Sequence, residues 1–148
     1  MKLRFLVCAA AAIIDEATKN ISITSILEQL TAPTFPIAVP ITVVANFVKT
    51  AAEPDIADIR LSFKIKGNPD PIWDHPVTLQ FQGQLTTRLI VQVNPLIVPQ
   101  RGRLIAEVKM KTATLGSWTI EVKKAGNEKK IDRKVGSRND GLIRLRSN

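Results

Sequence analysis

Apolar and polar side chains alternate with a period of two along most of this chain. In Ile59-Arg60-Leu61-Ser62-Phe63-Lys64-Ile65-Lys66 every odd position is apolar and every even one polar. Val77, Leu79 and Phe81 repeat the pattern, as do Leu104, Ala106, Val108 and Met110, and then Trp118, Ile120 and Val122. Successive side chains of a strand point to opposite faces, so each segment offers one face to a core and the other to water. Turn residues divide the chain into about eight such strands. They are predicted at residues 3–14, 21–30, 41–48, 56–66, 77–82, 85–93, 103–111 and 118–123. The first is the most ambiguous, because the alanines at 9–12 suit a helix equally well.

Between these strands the polar stretch 15–20 reads as a hairpin turn. Pro33, Pro36 and Pro40 hold the next connection extended and remove its ladder donors. Two longer loops are expected, at residues 67–76 and 94–102, each with two or more prolines. The fold class that follows is all-β: an antiparallel two-sheet β-sandwich, immunoglobulin-like or C2-like, over residues 1–124. A closed β-barrel is the alternative, because alternation does not separate the two. A true antibody-type domain is excluded by the missing cysteine pair and tyrosine corner.

At 148 residues the chain is long enough for one domain with a real core. Its formal net charge of +8 is unevenly spread. Residues 1–124 hold 14 Lys/Arg and 10 Asp/Glu, while residues 125–148 hold 7 and 3. Half of the excess therefore sits in the last sixth of the chain, where neither period is sustained, and residues 125–148 read as a flexible basic tail. Lys2 and Arg4 precede the apolar run 5–14, an arrangement similar to a short export signal. The run meets Asp15-Glu16 at once, without a small-x-small cleavage site, so a buried first strand and a cytoplasmic location are expected. A lipoprotein reading of Cys8 fails on its short lead and on bulky Val7. The run is too short to span a bilayer, and no membrane partner is expected.

Candidate chemistry is sparse. Cys8 is the one cysteine and His75 the one histidine, so no internal disulfide and no two-imidazole site exist. Cys8 lies in an apolar segment, where a packed neutral thiol is the ordinary state. Neither zinc-type spacing nor a phosphate-gripping glycine loop is present. Asp70, Asp74 and His75 share one loop and Asp55 and Asp58 another. Aspartates at turns commonly bond their own backbone, and neither loop is dense enough in ligands for calcium or for paired-carboxylate hydrolysis. No catalytic residue, metal ligand or cofactor is expected, and an enzyme is the least supported class.

Two binding classes remain. Arg60, Lys64 and Lys66 share the polar face of one strand, and Lys129, Lys130, Arg133 and Lys134 lie in the tail. These cations could contact anions, yet the aromatic platforms that grip bases are missing. There is no tyrosine, and Phe47, Phe63, Phe81 and Trp118 share the inward phase. Nucleic-acid binding would then be weak and insensitive to sequence. Leu96-Ile97-Val98 between two prolines, and Trp73 beside Pro71-Ile72, instead place large apolar groups in loops, as protein interfaces do. The leading expectation is a non-catalytic protein-binding or assembly module using Trp73, Leu96, Ile97 and Val98. Its partner is another protein, a second copy of this chain included.

Several stretches carry a family resemblance. Met1-Lys2-Leu3, the Cys8 segment, Lys19-Asn20-Ile21, and above all Ala32-Pro33-Thr34-Phe35-Pro36 before Val43-Val44-Ala45-Asn46-Phe47 look like a family of small uncharacterised bacterial β-sandwich proteins. Gln100-Arg101-Gly102-Arg103-Leu104 and the strand to Val122 resemble the end of that domain, so the resemblance covers about residues 1–124. It implies a compact, mostly β, cytoplasmic protein without a signal peptide. It implies no activity, because the family is a domain of unknown function, and the basic tail departs from its pattern.

Overall fold

The computed structural model describes residues 1–126. Nine strands run in the order β1 (Lys2–Ile14), β2 (Ile21–Ile26), β3 (Gln29–Ala32), β4 (Ile37–Val48), β5 (Ile56–Ile65), β6 (Trp73–Gln80), β7 (Thr86–Val98), β8 (Gly102–Met110) and β9 (Ala113–Lys124). They form two sheets, ordered β2-β1-β4-β7 and β3-β9-β8-β5-β6. The sheets pack face to face as a β-sandwich, and the second curls without closing into a barrel. All pairs are antiparallel except β3 with β9, which is parallel. Residues 127–148, with Lys129, Lys130, Arg133 and Lys134, lie outside the described residues.

The alternation predicts the core well. Ile59, Leu61, Phe63 and Ile65 of β5, Leu104, Ala106 and Val108 of β8, and Ile120 and Val122 of β9 are all buried. They face Leu6, Cys8, Val43, Ala45 and Phe47 from the other sheet in one continuous cluster. Burial of this kind contributes roughly 1.5–3 kcal/mol per large side chain. Trp118 departs from the inward set. It is half-buried, and its indole Nε1 donates to the carbonyl of Leu27 at 2.8 Å, which gives the ring's polar edge a partner at the sandwich margin.

Proline-bearing segments depart from expectation in a consistent way. Of the connection expected before residue 41, Pro33 and Pro36 do lie between β3 and β4, while residues 37–40 are the start of β4. Its pairing with β7 shifts register between Val39 and Ile41, so Pro40 sits at a bulge where no donor is required. The loop expected at 94–102 is largely strand. β7 continues through Pro95 to Val98, and Leu96 pairs with Val39. The loop expected at 67–76 ends early, because Trp73, Asp74, His75 and Pro76 pair with Phe63, Ser62, Leu61 and Arg60. Pro76 is tolerated there because β6 is an edge strand.

The expected strand 21–30 splits in two. Ser25 adopts a φ of 55°, outside the β region, and the chain crosses between sheets at Leu27. Leu27 donates its N–H to the Cys8 carbonyl at 2.8 Å, while its own carbonyl accepts from Trp118. Near this margin β1 approaches β9 so closely that a Cβ at Gly116 would collide with Leu3 Cδ2, and glycine provides the room.

Cys8 is fully buried, and burial pushes its thiol up to about 12. A thiolate is the reactive form, so the native protein should resist iodoacetamide at neutral pH while urea-unfolded protein reacts. Mass spectrometry checks this; equal alkylation of both states would contradict the placement. The sign of the linkage follows from the raised value. The stabilisation is complete below the thiol's ordinary range near 9 and is lost as pH rises from there towards 12.

Candidate interaction surface

From Lys2 to Ala9, β1 pairs with β4; from Ala9 to Ile14, it pairs with β2. The partner changes at Ala9, so beyond it β1 and β2 form a two-stranded arm attached to the sheet at one end. The turn at residues 15–20 is built by Asp15. Its Oδ1 accepts from the N–H groups of Ala17 at 2.8 Å and Thr18 at 2.9 Å. Those bonds, Thr18 first, hold its carboxyl below the usual range. The Lys19 N–H donates to the Asp15 carbonyl at 2.7 Å, and Lys19 takes a φ of 63° to close the turn.

This arm folds back over the outer face of its sheet. Arg88 of β7 donates from Nη2 to the Lys19 carbonyl at 2.9 Å, and β7 lies two strands away from β1. The tip must cross β4 to make that bond. Val44 alternates with the core residues Val43 and Ala45, so it faces away from the core, yet it is fully buried. Beneath the tip lies a cleft of about 790 Å³ lined by Ile14, Lys19, Asn46, Thr87, Arg88 and Ile90 among others. The buried Oδ1 of Asn46 has no hydrogen-bond partner among the described residues.

The arm's composition is its most unusual property. No charged residue occurs from Phe5 to Ile14 or from Ile21 to Leu27. Of the exposed large apolar side chains, Phe5, Ile13, Ile14 and Ile26 all lie on β1 and β2, with Ile13 63% and Ile26 48% exposed. Ala11, Ile13, Ser22, Thr24 and Ile26 share one face of the ribbon by register, a surface of methyls and hydroxyls. Among the described residues β2 is hydrogen-bonded to β1 alone and forms the edge of its sheet.

The residues expected to make protein contacts are placed differently. Leu96 is 1% exposed and Val98 is fully buried, both in the core cluster, so the expected loop patch does not exist. They lie on a paired strand whose inward phase they share. Ile97 alone of the three is exposed, at 52%. Trp73 is half-buried, edge-on to Phe63 with ring centroids 5.8 Å apart, and 4.6 Å from the His75 ring. These residues therefore provide one exposed isoleucine rather than a patch.

The expected anion face is largely neutralised. Arg60 binds both carboxylate oxygens of Asp74 at 3.1 Å, and Lys64 pairs with Glu107 at 3.3 Å. Lys66 is exposed, with no ion-pair partner among the described residues. The loop carboxylates are engaged too. Asp58 accepts from the Thr78 hydroxyl at 3.0 Å and Asp55 from the Gly83 N–H at 2.7 Å. No group of three or more His, Cys, Asp or Glu side chains gathers among the described residues, and no helix there is long and apolar enough to cross a membrane.

A second groove of about 570 Å³ opens at one end of the sandwich, lined by Met1, Ile56, Phe81 and Met110 among others. Most of its charges are paired. The terminal ammonium of Met1 bonds Glu53, and this bond, followed by one from the Thr50 N–H, lowers the Glu53 carboxyl to about 2. Lys49 stands 5.5 Å from the Phe81 ring centroid and 3.5 Å from Asp55. Lys111 also lines the groove and has no ion-pair partner among the described residues. No family model, curated protein or solved structure matches this chain, so the arm's geometry and chemistry carry the functional argument.

Proposed function

We propose that this chain is a non-catalytic protein-binding or assembly module that uses the β1–β2 arm as its contact surface. The observation that carries the reading is the contrast among the sheet edges. An unpaired edge strand presents free N–H and C=O groups, and folded proteins ordinarily guard it with charge, proline or shortness. β6 carries Asp74 and Pro76, β7 carries Arg88 and Pro95, and β3 has four residues bounded by Glu28 and Pro33. β2 has neither charge nor proline across its six residues. Exposed Ile26 ends it, and exposed Ile13 lies beside it on β1. A partner strand added at β2 would satisfy the free backbone groups and cover those side chains.

The reading extends to a cytoplasmic protein of the bacterial family it resembles. A single, buried, protonated thiol is consistent with a reducing compartment. Anion binding through the basic tail stands as the alternative. It predicts weak, sequence-insensitive nucleic-acid binding that falls steeply with salt and is mostly abolished when residues 125–148 are removed.

Thr24→Lys tests the main reading. The side chain is exposed and at the edge, so the melting temperature should change by no more than a few degrees. In cells of the native host, chemical crosslinking should carry the wild type into larger adducts and leave Thr24→Lys free. An Ile97→Lys variant should crosslink like wild type. Equal crosslinking of the wild type and Thr24→Lys would overturn the assignment to the arm.

A further inference from the structure

We infer that the partner of the β2 edge is a second copy of this chain, paired antiparallel about a two-fold axis; this rests on the reading of the arm as the contact surface. The charges at the two ends of β2 select that arrangement. Exposed Lys19 stands just before Ile21, and exposed Glu28 just after Ile26. Directly opposed residues of an antiparallel pair share a face, so a two-fold axis normal to the sheet runs between the strands and opposes Ile23 or Thr24, at the strand's centre, to its own copy. Either choice sets Lys19 of each copy at the same end of the paired strands as Glu28 of the other, twice per dimer.

A parallel self-pairing would oppose Lys19 to Lys19 and is disfavoured by like charge. Beyond Ala9, β1 also lacks a second partner, but pairing through it brings no opposite charges together. Between the charged ends, antiparallel pairing meets only Ile, Ser and Thr, with no charge to desolvate. Pairing of β2 with β2 about a two-fold axis consumes that edge in both copies, so this contact closes as a dimer rather than growing into a filament. The two arms then form one four-stranded ribbon, in the order β1-β2-β2-β1.

Analytical ultracentrifugation of the full chain, from low micromolar to near-millimolar concentration, tests this. Wild type should show a reversible monomer–dimer equilibrium. Lys19→Glu and Glu28→Lys should each weaken it by roughly ten-fold, since each reverses both symmetric contacts. The double variant Lys19→Glu/Glu28→Lys restores opposite charges and should recover the wild-type constant. A general effect on folding would not be rescued in this way, and circular dichroism confirms that each variant is folded. In a parallel experiment, Ile23→Cys or Thr24→Cys, whichever residue opposes its own copy, should form an intermolecular disulfide, buried Cys8 taking no part. Wild type that stays monomeric throughout would overturn self-pairing while leaving the arm open to a different protein. A dimer unaffected by Thr24→Lys would overturn the arm itself.

Discussion

Truncating Phe63 to Ala is expected to lower the unfolding free energy by about 3–5 kcal/mol. Phe63 is fully buried on the inner face of β5, opposite Ala106 of β8 and Trp73 of β6. The small side chain at Ala106 leaves room for the ring, and Trp73 closes one side of it edge-on. Removing the ring opens a cavity between two hydrogen-bonded sheets. Neither can move inward without breaking its ladder, so collapse is limited and the cost lies near the top of the usual range. Urea unfolding followed by circular dichroism measures it. A loss below about 1 kcal/mol would place the ring outside the core and invalidate the inward phase of β5.

The second large effect separates two adjacent residues. Leu96→Ser should cost about 3–5 kcal/mol, because it leaves a cavity and buries a hydroxyl. Ile97→Ser, with the side chain half in solvent, should stay within about 1 kcal/mol of wild type. The same unfolding experiment decides both. Equal, small effects would restore the expectation of an exposed apolar loop, and equal, large ones would show that Ile97 packs against a neighbour.

That pair also shows where sequence reasoning reached its limit. Alternation locates Phe63, Phe81, Val108 and Ile120 because a two-residue period leaves only two choices of face, and the apolar set selects one. Pro95 interrupts no such pattern: Val93 is followed inward by Leu96 and Val98 across the irregularity. Reading proline as the end of a strand hides this, although proline costs a strand only one donor. At a bulge such as Pro40, or on an edge such as Pro76, that donor has no acceptor to lose. Pro40, Pro76 and Pro95 thus mark edges and bulges in this fold, whereas Pro33, Pro36, Pro54, Pro69, Pro71 and Pro99 lie between strands.

The candidate surface was half legible. Two charge-free stretches, residues 5–14 and 21–27, are plain in the sequence. Their meaning depends on which strands become edges, which no local pattern encodes. β1 has enough apolar character to be a central strand throughout. Only its change of partner at Ala9 turns the second half into an arm, and only the crossing to Arg88 shows where the arm lies. The cations of β5 failed as a site for a related reason. Arg60 and Lys64 share a face as expected, but neighbouring strands supply Asp74 and Glu107 to neutralise them. Such cross-strand partners are set by register, not by proximity in the chain.

Pairing of β2 with a second copy is the central claim, and amide hydrogen exchange at two protein concentrations tests it most directly. In the monomer, β2 amides that point away from β1 have no strand partner, whereas in the dimer they are bonded across the two-fold axis. Exchange within Ile21–Ile26 should therefore slow as concentration rises through the dimerisation range, with β6 and β7 unchanged and no slowing in Thr24→Lys. Concentration-dependent protection confined to β6 or β7, or exchange in β2 that is the same at every concentration, would contradict the account.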